Sequence, residues 1–392
     1  MTSNLNKSLF ILFLVVATEL IGFGLIIPVL PVIAKNYDLN YFFLGFLMAS
    51  FSMAQFIASP ILGSLSDRFG RKPVLIFSKL GTVLSYLLLA YANNYWMFLC
   101  ARLFDGFTGG NIAVARAYVA DITDKHSRAK GMAVIGISFG IGFIIGPILG
   151  GLLYRGLSGQ FVAAIVAGSL SLIAMLLTVF FLKEPVVHKP AKTFWNNLSE
   201  GIEVCKRGPV MLILATYLFY MVVFSGFETT FSVFLNYVFL MNLNQISWMF
   251  VFTGVIGLFV QGYLSQKASS NYQKFTLLGI LCLSLSFMGL SFVEGFYFLL
   301  FFLSFFAASI SIVSVFMPSL LTSFTDEDTV GAVMGMYEGV GSLGRILGPL
   351  LAYSFPLTFI RDQYFYYGVF LLFLFLCFVL VSRRLMLRYK VN

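Results

Sequence analysis

The stretch Gly63-Ser64-Leu65-Ser66-Asp67-Arg68-Phe69-Gly70-Arg71-Lys72-Pro73 gathers one acid, three basic residues, two glycines and a proline into eleven positions. Apolar runs flank it, at about 43–64 and 74–92. Each is long enough to cross the roughly 30 Å hydrocarbon core of a bilayer as a helix. The stretch therefore reads as a tight turn between two membrane spans. Its glycines permit the turn, Asp67 can accept hydrogen bonds at a helix end, and Pro73 suits the first turn of the following helix.

The same alternation runs outward in both directions. Six apolar runs fall at about 9–33, 43–64, 74–92, 96–120, 131–153 and 161–182. Six more fall at about 209–236, 246–266, 275–293, 296–322, 330–354 and 364–386. Hydrophobic residues make up 59% of the chain and charged ones 10%, far below the roughly one quarter of a soluble domain. Transmembrane β-barrel strands alternate apolar and polar positions over about ten residues, which these runs do not. The first run, from Leu9 to about Ile33, is too long for the apolar core of a signal peptide and no small-residue cleavage site follows it. The expected fold is an all-α membrane protein of twelve transmembrane helices. The longest polar stretch, about Lys183 to Gly208, divides it into an N-terminal six-helix bundle (1–187), a linker (188–207) and a C-terminal six-helix bundle (208–392). Trp195, Leu198, Ile202 and Cys205 recur in the linker at helical spacing, as in a short amphipathic helix on the bilayer surface.

A net charge of +9 suggests nucleic acid or the positive-inside rule. The placement of the basic residues between apolar runs favours the second. With the N-terminus inside, inner loops, termini and adjoining span ends hold nineteen Lys and Arg, Lys79 among them, against three outside: Lys35, Arg155 and Arg361. Both termini are then cytoplasmic, in agreement with an even helix count. Cys100, Cys205, Cys282 and Cys377 show no pairing or metal spacing, and His126 and His188 are isolated loop residues. No nucleotide-binding loop, nucleophile with a positioned base or metal set appears, so no cofactor and no enzymatic activity is expected.

The halves repeat. A shift of 202 residues lays Thr123-Asp124 on Thr325-Asp326, Met132 on Met334, Gly142 on Gly344, and Gly146-Pro147 on Gly348-Pro349. The fifth span then maps onto the eleventh. Parallel repeats of six helices imply two pseudo-symmetric bundles with a cavity between them.

Three motifs carry a resemblance to a known family. The 63–73 turn resembles the loop signature of the major facilitator superfamily. Arg102-Leu-Phe-Asp105-Gly106-Phe-Thr-Gly109-Gly110, running on to Asp121, is a second match. Gly136-Ile-Ser-Phe-Gly140-Ile-Gly142-Phe-Ile-Ile-Gly146-Pro147 looks like the fifth-helix signature of the drug:proton antiporter branch, similar in wording to the tetracycline antiporters. The resemblance implies a conformational lock at Gly63, Asp67, Arg68, Gly70, Arg71 and Lys72, with Asp121 as a partner for Arg71. It also implies bending at Gly142, Gly146, Pro147, Gly348 and Pro349; simple close packing of helices is the alternative for these glycines. In the second half, Gly262-Tyr-Leu-Ser-Gln-Lys keeps little of the loop motif.

Ionised groups at mid-bilayer cost at least roughly 2.5–3.5 kcal/mol and usually face a cavity or a partner. Glu19, Asp105 and Glu338 all lie near the middle of their spans. Arg102 sits at i−3 from Asp105, where it forms a structural pair or tunes a proton-carrying acid, either Asp105 or Glu19. Arg345, two turns past Glu338, offers a second pair of the same ambiguity. Glu228, in Gly226-Phe-Glu-Thr-Thr-Phe, reads as a substrate contact in the cavity, with an extracellular gate or a side chain snorkelling to the interface as alternatives, while Phe23, Phe227 and Phe231 share helices with buried acids and suit an apolar pocket. The expected activity is a proton-coupled antiporter of the inner membrane, acting as a monomer on lipophilic cationic or zwitterionic solutes. Proton symport of a small metabolite and a non-transporting receptor are the alternatives.

Overall fold

The computed structural model describes residues 2–37, 40–123, 128–154, 159–185, 203–204, 206–266, 271–325 and 330–389. The linker residues Trp195, Leu198, Ile202 and Cys205, and the repeat residues Asp124 and Asp326, lie outside them. The described elements are helical, because a chain in hydrocarbon must satisfy its backbone polar groups within itself. In order they are α1 (Thr2–Asn36), α2 (Tyr41–Phe69), α3 (Arg71–Ala90), α4 (Tyr95–Thr108), α5 (Asn111–Ile122), α6 (Arg128–Leu153) and α7 (Gly159–Phe181). Then follow α8 (Gly208–Phe239), α9 (Leu243–Gln266), α10 (Tyr272–Ser291), α11 (Phe296–Thr322), α12 (Val330–Ala352), a short 3-10 turn (Leu357–Phe359) and α13 (Ile360–Tyr389). Among the described residues, nine helices are long and apolar enough to cross a membrane.

Asparagines start three of them. Asn40 accepts from the Phe42 amide at 3.3 Å and Asn94 from the Met97 amide at 3.0 Å. Asn242 and Gln245 exchange side-chain and backbone bonds at 3.0 Å each, a reciprocal cap on α9. The structure departs from the sequence expectation at the fourth span. The run at 96–120 is two helices, α4 and α5, interrupted at Gly109-Gly110.

The chain divides into two compact units. One contains Met1–Ala191 with Phe231–Val251, the other Lys192–Thr230 with Phe252–Asn392. The division at 191 falls inside the expected 188–207 linker, but Phe231–Val251, from the end of α8 and the start of α9, groups with the first unit. Within the first unit α1 lies along α6 and α7, α3 along α7 and α4, and α2 along α4 and α5. In the second, α10 lies along α11 and α13.

Glycines set how closely α1 and α6 approach. A Cβ on Gly142 would lie 2.3 Å from Leu20 Cβ, on Gly146 2.7 Å from the Ile21 carbonyl oxygen, and on Gly150 2.6 Å from that of Leu25. The same interlock recurs in the second unit. A Cβ on Gly344 would lie 2.4 Å from Met221 Cβ, and on Gly348 2.6 Å from the Val222 oxygen and 2.7 Å from the Gly226 nitrogen. Gly142 and Gly344 are 202 residues apart, and their partners Leu20 and Met221 are 201 apart. The repeat is thus a repeat of backbone packing, in which the absent side chains let helix axes close together.

A tight and an open glycine share α12, which supplies a test. Gly348→Ala drives a methyl into backbone atoms, and such overpacking costs typically about 1–3 kcal/mol. Gly335→Ala enters space with nothing within 4 Å. Thermal unfolding in detergent is expected to show a lower midpoint for Gly348→Ala and none of that loss for Gly335→Ala.

Candidate functional site: a buried charge cluster

The break between α4 and α5 is built to be stable inside the bundle. An interrupted helix frees carbonyls that need donors. Ser78 on α3 donates to the Thr108 carbonyl, and Gln55 Nε2 on α2 donates to that of Gly109 at 2.9 Å. The Gly109 amide closes the last turn onto the Asp105 oxygen at 2.6 Å. Glycine is required here because a Cβ on Gly109 would lie 2.8 Å from Glu19 Oε1. The break therefore makes room for a carboxylate.

That carboxylate is 3% exposed. Glu19 Oε2 accepts from Lys79 Nζ at 2.7 Å and from Asn111 Nδ2, at the start of α5, at 3.0 Å. Lys79 Nζ also donates to Thr18 Oγ1 at 3.2 Å and has no exposed side-chain surface. The start of α5 adds the positive end of a helix dipole. Beside this pair, Arg102 Nη1 meets Asp105 Oδ2 at 3.3 Å, and Ser85 Oγ donates to Asp105 Oδ1 at 3.4 Å. The guanidinium faces the rings of Phe51 at 4.7 Å and Phe23 at 5.7 Å, which pack on each other at 5.1 Å. Glu19 and Lys79 both act electrostatically on Asp105, so the two pairs form one cluster of four charges. Removing one member of a buried pair costs about 3–5 kcal/mol, since the other is left uncompensated.

Of the two acids the sequence offered Arg102, the contact partner is Asp105, while Glu19 is held by Lys79. Lys79, counted above with the loop and span-end charges, is the ninth residue of α3, about 12 Å along the helix from its start. A signal was present: Ser78, Thr82 and Ser85 recur at helical spacing around Lys79, a polar stripe on an otherwise apolar span.

The 63–73 turn is held by carboxylates. Arg71 Nη1 meets Asp67 Oδ1 at 2.5 Å and donates to Ser66 Oγ at 2.7 Å, while Arg71 Nε meets Asp121 Oδ2 at 2.8 Å. Glu184, just past α7, caps α3: its Oε1 accepts from the Arg71 amide at 2.5 Å and its Oε2 from the Lys72 amide at 2.8 Å. Gly70 has φ +98° and ψ 156°, and a Cβ there would lie 2.8 Å from Glu184 Oε1. Sequence reading missed Glu184, which sits in the polar stretch after the sixth span. Arg68 and Asp67 are exposed at the surface of the turn, and Gly63 has open space around it.

In the second unit Glu228 is buried on α8, and its Oε1 has no hydrogen-bond partner among the described residues. Arg345 acts on it electrostatically and donates from Nη2 to Ser342 Oγ at 3.0 Å. Glu338 is half-buried on α12. Phe227 lies among Phe287, Phe306 and Tyr364 at 5.2, 4.3 and 5.2 Å, whereas Phe231, the first α8 residue grouped with the first unit, packs on Phe250 at 5.1 Å. Unforeseen is a ladder of near-parallel rings: Tyr337 on Tyr217 at 3.7 Å, Tyr217 with Tyr220 at 6.1 Å, and Tyr220 with Phe224 at 6.1 Å. Tyr220, Phe224 and Glu228 lie four residues apart, so the ladder ends one turn from the carboxylate.

The chain as a whole is similar to known proteins. The chain belongs to the Major Facilitator Superfamily, which matches residues 12–349. It is 30% identical over 374 residues to the class H tetracycline resistance protein of Pasteurella multocida, covering 91% of each chain. It is 30% identical to multidrug resistance protein 2 of Bacillus subtilis over 89% of this chain and 88% of that one. The human organic anion transporter MFSD10 shares the fold, with a TM-score of 0.76 at 23% identity over 95% of this chain and 99% of that one. The protein is thus a multi-pass membrane transporter of small-molecule solutes with the twelve-helix major facilitator fold, α4 and α5 together making one span.

Gly70 offers a check on the turn. Its backbone region is populated almost only by glycine, and other residues there carry about 1–3 kcal/mol of strain. Gly70→Ala also pushes on the Glu184 carboxylate. Its unfolding midpoint is expected to fall, while Gly63→Ala, with nothing within 4 Å of the new methyl, matches wild type.

Proposed function

We propose that this chain is a proton-coupled antiporter that exports lipophilic cationic or zwitterionic small molecules by alternating access. The observation that carries the reading is the count of charges at the centre of the first unit: two carboxylates and two cations, paired and buried. With both acids ionised they sum to zero. A proton or a solute cation raises the sum to one, and the two together raise it to two. Two unit charges 4 Å apart repel by about 4 kcal/mol at an effective dielectric of 20. Proton and cation therefore exclude each other, which is the rule an antiporter needs. The tetracycline and multidrug resistance names of the relatives support the solute class and the outward direction.

In this reading Glu19 and Asp105 carry the proton and Arg102 balances them. In the second unit Glu228, with an oxygen free to accept a bond, contacts the solute together with Glu338 and the ring ladder, and Phe23 is a solute contact of the first unit. Phe227 and Phe231 already have ring partners and shape the wall behind it. Asp67, Arg71 and Asp121 govern the conformational cycle, and Gly146-Pro147 and Gly348-Pro349 are where helices bend. The chain comprises two bundles, 1–187 and 208–392, joined by the linker 188–207, and opens alternately to the two sides of the membrane. The Lys and Arg distribution supports cytoplasmic termini in an inner membrane, and the chain works as a monomer.

Flux into proteoliposomes under an imposed pH gradient tests this. Glu19→Gln and Asp105→Asn are expected to lose gradient-driven accumulation and to keep solute exchange at zero gradient. Full proton-driven flux in both variants would overturn the reading. Asp67→Asn is expected to slow flux with ligand affinity within a few-fold of wild type; a folded variant that binds nothing contradicts the role of the turn. Glu228→Gln is expected to weaken binding of lipophilic cations and to spare neutral compounds, measured by equilibrium binding.

A further inference from the structure

We infer that Lys79 is a positioning residue whose ammonium sets the charge count of the first-unit site and so enforces exclusion between proton and solute. The inference rests on the proton-coupled reading above. Its basis is geometric. Lys79 has no solvent-exposed surface, and its ammonium is spent on Glu19 and Thr18. Among the described residues, its one carboxylate partner is Glu19.

The groups acting on Glu19 come from several helices. α3 brings Lys79, Thr82 and Tyr86; α4 brings Arg102 and Asp105; α5 brings the Asn111 amide. Among the described side chains, α6 and α7 bring no charge, α2 carries Asp67 and Arg68 in its last turn, and α5 carries Arg116 five residues past Asn111 and Asp121 near its end. Without Lys79 the remaining three charges sum to minus one when the acids are ionised. A proton then restores neutrality, and a solute cation brings the sum only to one. Both fit at once, and exclusion is lost.

Position on α3 adds a mechanical link. Arg71 begins this helix and is clamped by Asp67, Asp121 and Glu184. Lys79 rides the same helix eight residues on, so a shift of the turn along the helix axis moves the ammonium relative to Glu19.

The test uses purified protein in lipid vesicles, with Lys79→Met, Glu19→Gln and the double variant. Infrared spectroscopy reads the carbonyl stretch of a protonated carboxyl. Lys79→Met is expected to gain intensity in this band over wild type at neutral pH, and the double variant is expected to lose the gain. In flux, Lys79→Met is expected to exchange tetraphenylphosphonium at zero gradient and to fail to accumulate it against a pH gradient. A wild-type infrared spectrum or full gradient-driven accumulation in Lys79→Met overturns the inference. If Lys79→Met does not fold, recovery of folding in the double variant supports the neutralising role, and failure to recover overturns it. Absence of gradient-driven accumulation in the wild type itself removes the antiport reading, while the infrared comparison still judges Lys79.

Discussion

A carboxylate in the middle of a membrane protein must be neutralised where it stands, because water is not there to do it. Much of the first unit follows from meeting that demand at Glu19. Lys79 supplies the opposite charge at 2.7 Å, Asn111 supplies a donor, and the start of α5 supplies a dipole. The dipole is available only because the fourth span is broken, and the break holds only because Ser78 and Gln55 satisfy the freed carbonyls. Gly109 must lack a side chain for Glu19 to fit beside it. A single buried charge thus explains a helix break, two side-chain bonds on neighbouring helices and a glycine.

The two halves share packing and not chemistry. The glycine interlock of α6 on α1 recurs in α12 on α8 nearly atom for atom. Yet the 202-residue offset carries Lys79 to Leu281, Arg102 to Ser304, Asp105 to Ala307 and Asn111 to Val313. The second unit has its own buried acid, Glu228, at the end of a ring ladder that has no counterpart among the described residues of the first.

The spans, the 63–73 turn and the packing glycines were legible because each rests on a local pattern: apolar length, charge placement, or repeated small residues. The intramembrane acids were legible because they are rare in apolar runs. What was not legible depends on contacts between distant segments. Lys79 lies close enough to the turn to be counted with the end charges, and only the fold brings Thr18 and Glu19 to it across about sixty residues. Glu184 looks like one more loop acid until α7 delivers it to the start of α3. The break at Gly109-Gly110 is hidden because apolar helices tolerate glycine, and the donors that stabilise it come from α2 and α3. The partition between Arg102–Asp105 and Glu19–Lys79 likewise needs coordinates, since spacing alone allowed Arg102 either acid.

The central claim is that the four-charge site takes up either a proton or a cation. Proton counting on ligand binding addresses it directly. Tetraphenylphosphonium is added to purified protein in weakly buffered detergent solution, at a pH where the resting protein holds its proton, and the pH change is recorded. The account predicts release of protons in step with saturation of binding. Binding accompanied by proton uptake, or by no change at all, would contradict it.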